Sequence, residues 1–263
     1  MKFGVCLGHN QHDRIEIAAK CGFDYMEVGF AGMTEATDAE FAAFRDTLIR
    51  CGIPCESANG FLPGSLPTTG DHVDFAALSA FIEKGMQRAQ EIGIKVVVFG
   101  SSGSRNLREG TSYARGAAQL VAFLREVAGP IAARYGVRIA IEPLRPAESN
   151  IINRVKEGVI LAAASGCENV GGLGDLYHMA VAGETGAELR DCSGAIFHTH
   201  IANPALNTPN PRRYPADPAE YDYADFISAA ASAGCPRCSI EAGCDNFEAE
   251  APKALAVLRG VVE

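Results

Sequence analysis

The sequence lacks what would carry it into a membrane or out of the cell. No apolar run reaches about 18 residues without a charge, so no membrane span is expected. The chain opens on the strand-like Met1-Lys-Phe-Gly-Val-Cys-Leu-Gly8, with no charged lead into a long apolar stretch, so no signal peptide is expected. The nine cysteines are an odd set, and Cys6, Cys21 and Cys51 lie in apolar segments. Without an export signal they read as reduced, buried thiols of a cytoplasmic protein. Cys235-Pro-Arg-Cys238 has C-x-x-C spacing, but a zinc site would want a second such pair and there is none. A redox motif is the alternative to the plainer reading, a loop entering a strand. No strand-like run leads into a dinucleotide G-x-G-x-x-G or a P-loop lysine motif, which removes the main support for an open doubly wound sheet. Neither a short repeat nor a low-complexity tract appears. Basic residues are the minority, 23 Lys and Arg against 32 Asp and Glu, giving a formal charge of −9. That argues against a broad grip on nucleic acid, though one or two arginines would suffice for a small anionic substrate.

What is present is alternation. Short apolar runs recur at Phe3–Leu7, Tyr25–Val28, Ile53–Glu56, Lys95–Phe99, Val137–Ile141, Val170–Leu173, Ala195–Ile201 and Cys238–Ile240. Most do not alternate apolar with polar, which suits parallel strands covered on both faces. Between them, helical spacing marks Arg14–Cys21, Ala39–Cys51, Phe75–Ile92, Tyr113–Tyr135, Val155–Ala164, Leu176–Ala182 with a second piece near Ala187, Tyr223–Ala233 and Glu248–Val257. Several helices run out at a glycine just before the next strand, as at Gly22, Gly52, Gly93, Gly136 and Gly234. Eight strands alternating with about eight helices, in 263 residues without a long linker, predict one α/β domain, a single (β/α)8 TIM barrel over residues 1–263. The longest irregular stretches, Asn59–Asp71, Gly100–Gly110, Asn203–Asp222 and Ala242–Phe247, all follow strands. They are expected to crown the C-terminal mouth, where barrel active sites sit.

Four apolar strands end on a metal-type ligand: Glu142, Asp175, His200 and Glu241. Pro143 stops the first of them, because proline cannot donate to a sheet ladder. A carboxylate at the end of a buried strand needs a cation or water beside it. Neighbouring strand ends converge in a barrel, so these four are expected around one ion. Three carboxylates and one imidazole favour Mn²⁺ or Mg²⁺, with Co²⁺ or Zn²⁺ as alternatives. His198 shares strand parity with His200 and should point inward, behind the ligands or into the core. His178 follows Asp175 by three residues and Glu148 lies in the loop after Glu142, so each is a candidate hydroxyl contact. Glu27 ends the second strand and is expected either to face the pocket or to pair with a barrel arginine. Arg105, in a flexible Gly/Ser loop, and Arg212, in the loop after His200, are candidate anion or hydroxyl contacts.

The strand-end set resembles the xylose isomerase-like TIM barrels. The motifs are Ile141-Glu-Pro-Leu-x-Pro-x-Glu148, Gly174-Asp-x-Tyr-His-Met179, His198-x-His-Ile-Ala-Asn203 and Ser239-Ile-Glu241. The loop Val98-Phe-Gly-Ser-Ser-Gly-Ser-Arg-Asn106 with Arg108-Glu-Gly110 is also like this superfamily. More narrowly the chain resembles ketose 3-epimerases and hydroxypyruvate isomerase, over its whole length. The resemblance implies Glu142, Asp175, His200 and Glu241 as metal ligands, with Glu142 and Glu241 doubling as the acid/base pair. It implies substrate contacts at Glu148 and His178, and more loosely at Arg212, where the Asn203–Pro211 insertion blurs the register. The activity implied is isomerisation or epimerisation of a small ketose, sugar phosphate or related hydroxy-ketone through an enediolate, in a homo-oligomer. A dehydratase of the inosose or dehydroshikimate type would use the same barrel and metal. An AP endonuclease would need further histidines after strands three, four and seven; here strand three ends in Glu56-Ser-Ala-Asn59, and neither the fourth-strand loop nor the loop after His200 offers one. A non-catalytic sugar-binding barrel would have little use for four intact ligands.

Overall fold

The computed structural model describes residues 1–208 and 211–262. Its strands are β1 (Lys2–Leu7), β2 (Tyr25–Gly29), β3 (Cys55–Asn59), β4 (Val96–Phe99), β5 (Arg138–Ile141), β6 (Val170–Asp175), β7 (Ile196–Ile201), the two-residue β8 (Asn203–Pro204) and β9 (Arg212–Arg213), and β10 (Arg237–Ile240). Eight of them close into a parallel barrel in the order β1-β10-β7-β6-β5-β4-β3-β2. β8 and β9 form an antiparallel ribbon over the mouth. The fold is therefore the (β/α)8 barrel that the alternation predicts. Because all eight strands run the same way, their C-terminal ends share one rim, and Glu142, Asp175, His200 and Glu241 fall together there.

A large apolar core lies between strands and helices, including Val5, Val28, Phe44, Phe99, Phe123 and Ile139. A second, small cluster comprises Val96, Val98, Ala140, Leu173 and Phe197. Ala140 precedes Glu142 by two residues and Leu173 precedes Asp175 by two, so this cluster shares their strand faces and packs beneath the site.

The helix boundaries carry local signals. Thr37 accepts from the Glu40 N–H while Glu40 reaches back to the Thr37 N–H, a reciprocal cap that starts Asp38–Cys51. Asp74 caps Phe75–Ile92. Gly22 and Gly93 end their helices at φ 86° and 88°, left-handed values that glycine adopts without cost from a Cβ.

The structure corrects four details. Tyr113–Tyr135 is not one regular helix but Tyr113–Phe123, a π segment Leu124–Ala128, and Gly129–Arg134. Pro130 lacks an N–H and crowds the preceding turn, and the wider π turn absorbs it. The third strand begins at Cys55 rather than Ile53, because Pro54 delays its entry into the ladder. A short helix, Phe30–Glu35, follows β2 without a side-chain cap to announce it. The Gly100–Gly110 loop contains a single helical turn, Ser102–Arg105. The Asn203–Asp222 loop holds the β8–β9 ribbon, and its residues 209–210 lie outside the described residues. Cys235 and Cys238 are free, buried thiols, and Cys235 Sγ donates to the Arg237 carbonyl. They sit where the plainer reading placed them, at the entry to β10.

Candidate active site

Strand geometry brings the ligand set together. The Glu142 N–H bonds the Phe99 carbonyl at 3.2 Å and the Glu241 N–H bonds Ile201 O at 3.1 Å, so each carboxylate is anchored one residue past its strand. Asp175 and His200 are paired in register across β6 and β7. Their ligand atoms and those of Glu142 and Glu241 all lie within 4.8 Å of one another. His200 Nδ1 is 3.1 Å from Glu142 Oε1, 3.1 Å from Glu241 Oε2 and 3.7 Å from Asp175 Oδ2.

Three buried or half-buried carboxylates around one imidazole make a strongly negative cradle. Arg212, carried in by the β8–β9 ribbon, donates to both Asp175 and Glu241. Asn59 Nδ2 donates to Glu241 Oε1 at 2.6 Å. The electrostatics follow. Burial raises the Glu142 carboxyl above its ordinary value, and the charge of Glu241 adds to this. Burial pushes Glu241 the same way, but Arg212 and His200 outweigh it and hold that carboxyl well below the usual range. Burial opposes charge on His200, yet Glu241 and Glu27 raise its imidazole well above the ordinary value. Hard oxygen donors, one imidazole and an excess of buried negative charge fit a divalent cation of the Mn²⁺ or Mg²⁺ kind.

The set borders an open cavity of about 380 Å³. Glu142, Glu241, Arg212, Glu148 and His178 line it, together with Asn59, Leu144 and the Gly100–Gly103 turn. His178 is shaped for an outward donor. Its backbone N–H donates to Asp175 Oδ1, and its ring Nδ1 accepts from the Arg145 backbone N–H at 3.1 Å. The proton therefore sits on Nε2, which is buried, has no partner and lies 4.0 Å from Glu148 Oε2. Glu148 is held by Arg145 Nε at 2.5 Å.

Arg105 is placed differently from the expectation. It is fully buried, its Nη1 donates to the Phe99 carbonyl at 2.6 Å, and it is absent from the cavity lining. The helical turn Ser102–Arg105 swings it back onto the barrel wall, 5.8 Å from the Phe99 ring. In this arrangement it lies behind the cavity wall and does not line the cavity. Burial lowers its guanidinium to about 10. Glu27 also departs from both alternatives considered for it. It neither lines the cavity nor meets an arginine; it accepts from the two histidines of β7, with Oε2 2.7 Å from His198 Nε2 and Oε1 2.8 Å from His200 Nε2. Sequence reasoning also missed the neighbours of Glu27: Ser57, Ser239 and Tyr25. The available signal was parity, since Ser239 and His198 each stand two residues before a ligand.

Comparison with known proteins supplies the remaining context. The family model described as xylose isomerase-like TIM barrel matches residues 15–261. The chain is 26% identical over 229 residues to a D-psicose 3-epimerase of Agrobacterium fabrum, covering 82% of this chain and 78% of that protein. It is 25% identical over 199 residues to a 3-dehydro-D-guloside 4-epimerase of Escherichia coli, covering 73% of each. A crystal structure of a D-psicose 3-epimerase in the presence of D-fructose superposes with a TM-score of 0.82 at 21% identity, over 100% of this chain and 99% of that one.

Proposed function

The chain belongs to the xylose isomerase-like TIM barrel family, and from that premise we propose that it is a divalent-metal-dependent epimerase of a small, unphosphorylated ketose or related hydroxy-ketone. The observation that carries the reading is the pair Glu142 and Glu241. They border one cavity, flank the same imidazole nitrogen at 3.1 Å each, and come from strands separated by two others in the barrel. Two carboxylates at one reacting carbon are what epimerisation needs: one removes a proton and the other returns one to the opposite face.

Glu142, Asp175, His200 and Glu241 would hold the ion. When bound, a divalent cation polarises a ketone oxygen and stabilises the negative charge that develops when the adjacent carbon loses its proton. In the metal-free chain burial and the charge of Glu241 raise the Glu142 carboxyl, while Arg212 and His200 hold Glu241 down, so the two glutamates start from different proton affinities, as an acid/base pair requires. His178 Nε2–H and Glu148 offer one donor and one acceptor for neighbouring hydroxyls. Together they would fix which carbon lies between the glutamates.

A neutral substrate is favoured by charge. Among the described cavity-lining residues, Arg212 is the one arginine or lysine, and Asp175 and Glu241 already engage it. Arg145 is committed to Glu148, and Arg105 faces the barrel wall. A phosphate would meet Glu142, Glu148 and Glu241 with little to offset them. An epimerase is preferred to a dehydratase because both curated relatives compared above carry epimerase names. The test is product analysis. Mn²⁺-loaded protein incubated with a panel of free ketoses, their phosphates and inososes is expected to give an epimer of a free ketose. Loss of water from an inosose, with no ketose converted, would replace this reading with the dehydratase.

A further inference from the structure

Glu27 is a buried charge with four hydrogen-bonding partners, and it does not line the cavity. Its side chain is fully buried on β2. Oε2 accepts from Ser57 Oγ at 2.7 Å, from Ser239 Oγ at 2.6 Å and lies 2.7 Å from His198 Nε2. Oε1 is left with a single partner, His200 Nε2 at 2.8 Å. Tyr25 Oη closes the network on Ser239 at 2.8 Å. A carboxylate buried without partners would be strongly unfavourable. Here three neighbours saturate one oxygen and so aim the other at His200.

We propose that Glu27 is a positioning residue for the metal site: it holds the proton of His200 on Nε2 and so presents the Nδ1 lone pair to the ion. This rests on the metal-dependent reading above. The argument is geometric. An imidazole has two nitrogens, and the one that is free to ligate is set by the hydrogen bond that the other makes. His200 Nδ1 points into the space shared by Glu142, Asp175 and Glu241. Its ring is held edge-on against His198, with centroids 5.1 Å apart at 88°. With His198 wedged beside it and Glu27 behind it, the ring can neither flip nor trade tautomers without leaving Glu27 Oε1 unpaired. Ser57 and Ser239 act through Glu27, one step further from the ion.

The test compares Mn²⁺ affinity, by titration calorimetry on the chelator-stripped full chain, in wild type, Glu27→Gln, Glu27→Ala and His200→Gln. Glu56→Gln is the control. Glu56 pairs with Lys2 and Arg237 at the opposite, N-terminal end of the barrel, so its loss should leave affinity unchanged. Wild type is expected to bind one ion. Glu27→Gln keeps the shape but loses the charge, and is expected to bind about 10-fold more weakly; Glu27→Ala is expected to bind up to about 100-fold more weakly. A ¹⁵N ring spectrum of the Mg²⁺-loaded chain should show His200 as the Nε2–H tautomer in wild type and lose that signature in Glu27→Ala. A folded Glu27→Ala protein with wild-type affinity and the same tautomer would overturn the proposal. Should that variant not fold, unchanged affinity in Glu27→Gln does so instead. A wild type that binds no Mn²⁺ overturns the metal reading itself, and the positioning role with it. Binding in wild type that is lost in His200→Gln but indifferent to Glu27 overturns the positioning role alone.

Discussion

The two ends of this barrel handle charge in opposite ways. At the N-terminal end one carboxylate, Glu56, meets two cations: Lys2 Nζ at 2.5 Å and Arg237 Nε at 2.6 Å. At the C-terminal mouth three carboxylates, Glu142, Asp175 and Glu241, crowd one histidine, and two of them, Asp175 and Glu241, share one arginine. The first arrangement leaves no carboxylate unmet and ties β1, β3 and β10 together. The second is in electrostatic debt, with one of its carboxyls raised by burial and by its neighbour's charge. Natural proteins tolerate such a surplus where a missing cation or a reaction makes use of it.

The largest effect should come from emptying the mouth of its proposed acid/base pair. Glu142→Gln or Glu241→Gln is expected to lower turnover by about 10²–10⁴-fold, the usual contribution of a positioned general acid or base, while circular dichroism stays that of the parent. Activity within a few-fold of wild type would break the contrast between the ends.

Metal removal comes next, and its pH dependence has a definite sign. In the metal-free chain His200 and Glu142 both hold protons more tightly than usual. Binding an ion must displace them, so Mn²⁺ affinity should rise with pH and calorimetry in buffers of different ionisation enthalpy should register proton release. Chelator should abolish turnover and Mn²⁺ restore it. At ion concentrations near 100 times Kd the fold should gain about 2.7 kcal/mol.

Arg212 sharpens the comparison further. It bridges Asp175 and Glu241, the carboxylates an ion would otherwise neutralise. Arg212→Ala should destabilise the metal-free protein by up to about 3–5 kcal/mol, because it leaves partly buried charges unpaired. With Mn²⁺ saturating, the loss in thermal denaturation should shrink markedly. An equal loss in both states would mean that arginine and ion act on different groups. The smallest effect belongs to the N-terminal end. Glu56→Gln should cost about 1–3 kcal/mol of stability and nothing in turnover.

These contrasts also explain what was legible in the sequence. The convergence of the four candidate ligands could be read because each closes an apolar run, and Pro143 marks where β5 must stop. Once a closed parallel barrel is inferred, such ends have to meet at one rim. The partnership of Glu27 with His198 and His200 could not be read the same way. β2 and β7 are three steps apart around the barrel, with β1 and β10 between them, so their contact exists only across the closed lumen. Arg105 was misplaced because one turn of helix, not foreseeable in Ser-Gly-Ser-Arg, reverses its direction. The break in Tyr113–Tyr135 was signalled by Pro130, although the form it takes, a π turn against Cys167, depends on packing.

The most direct test of the central claim is proton exchange. Mn²⁺-loaded protein and a free ketose in D₂O, followed by NMR, should yield an epimer carrying deuterium at the inverted carbon. The ketose recovered should be labelled at the same position and at no other. A Mn²⁺-loaded protein that leaves every ketose in the panel unlabelled and unconverted would contradict the account.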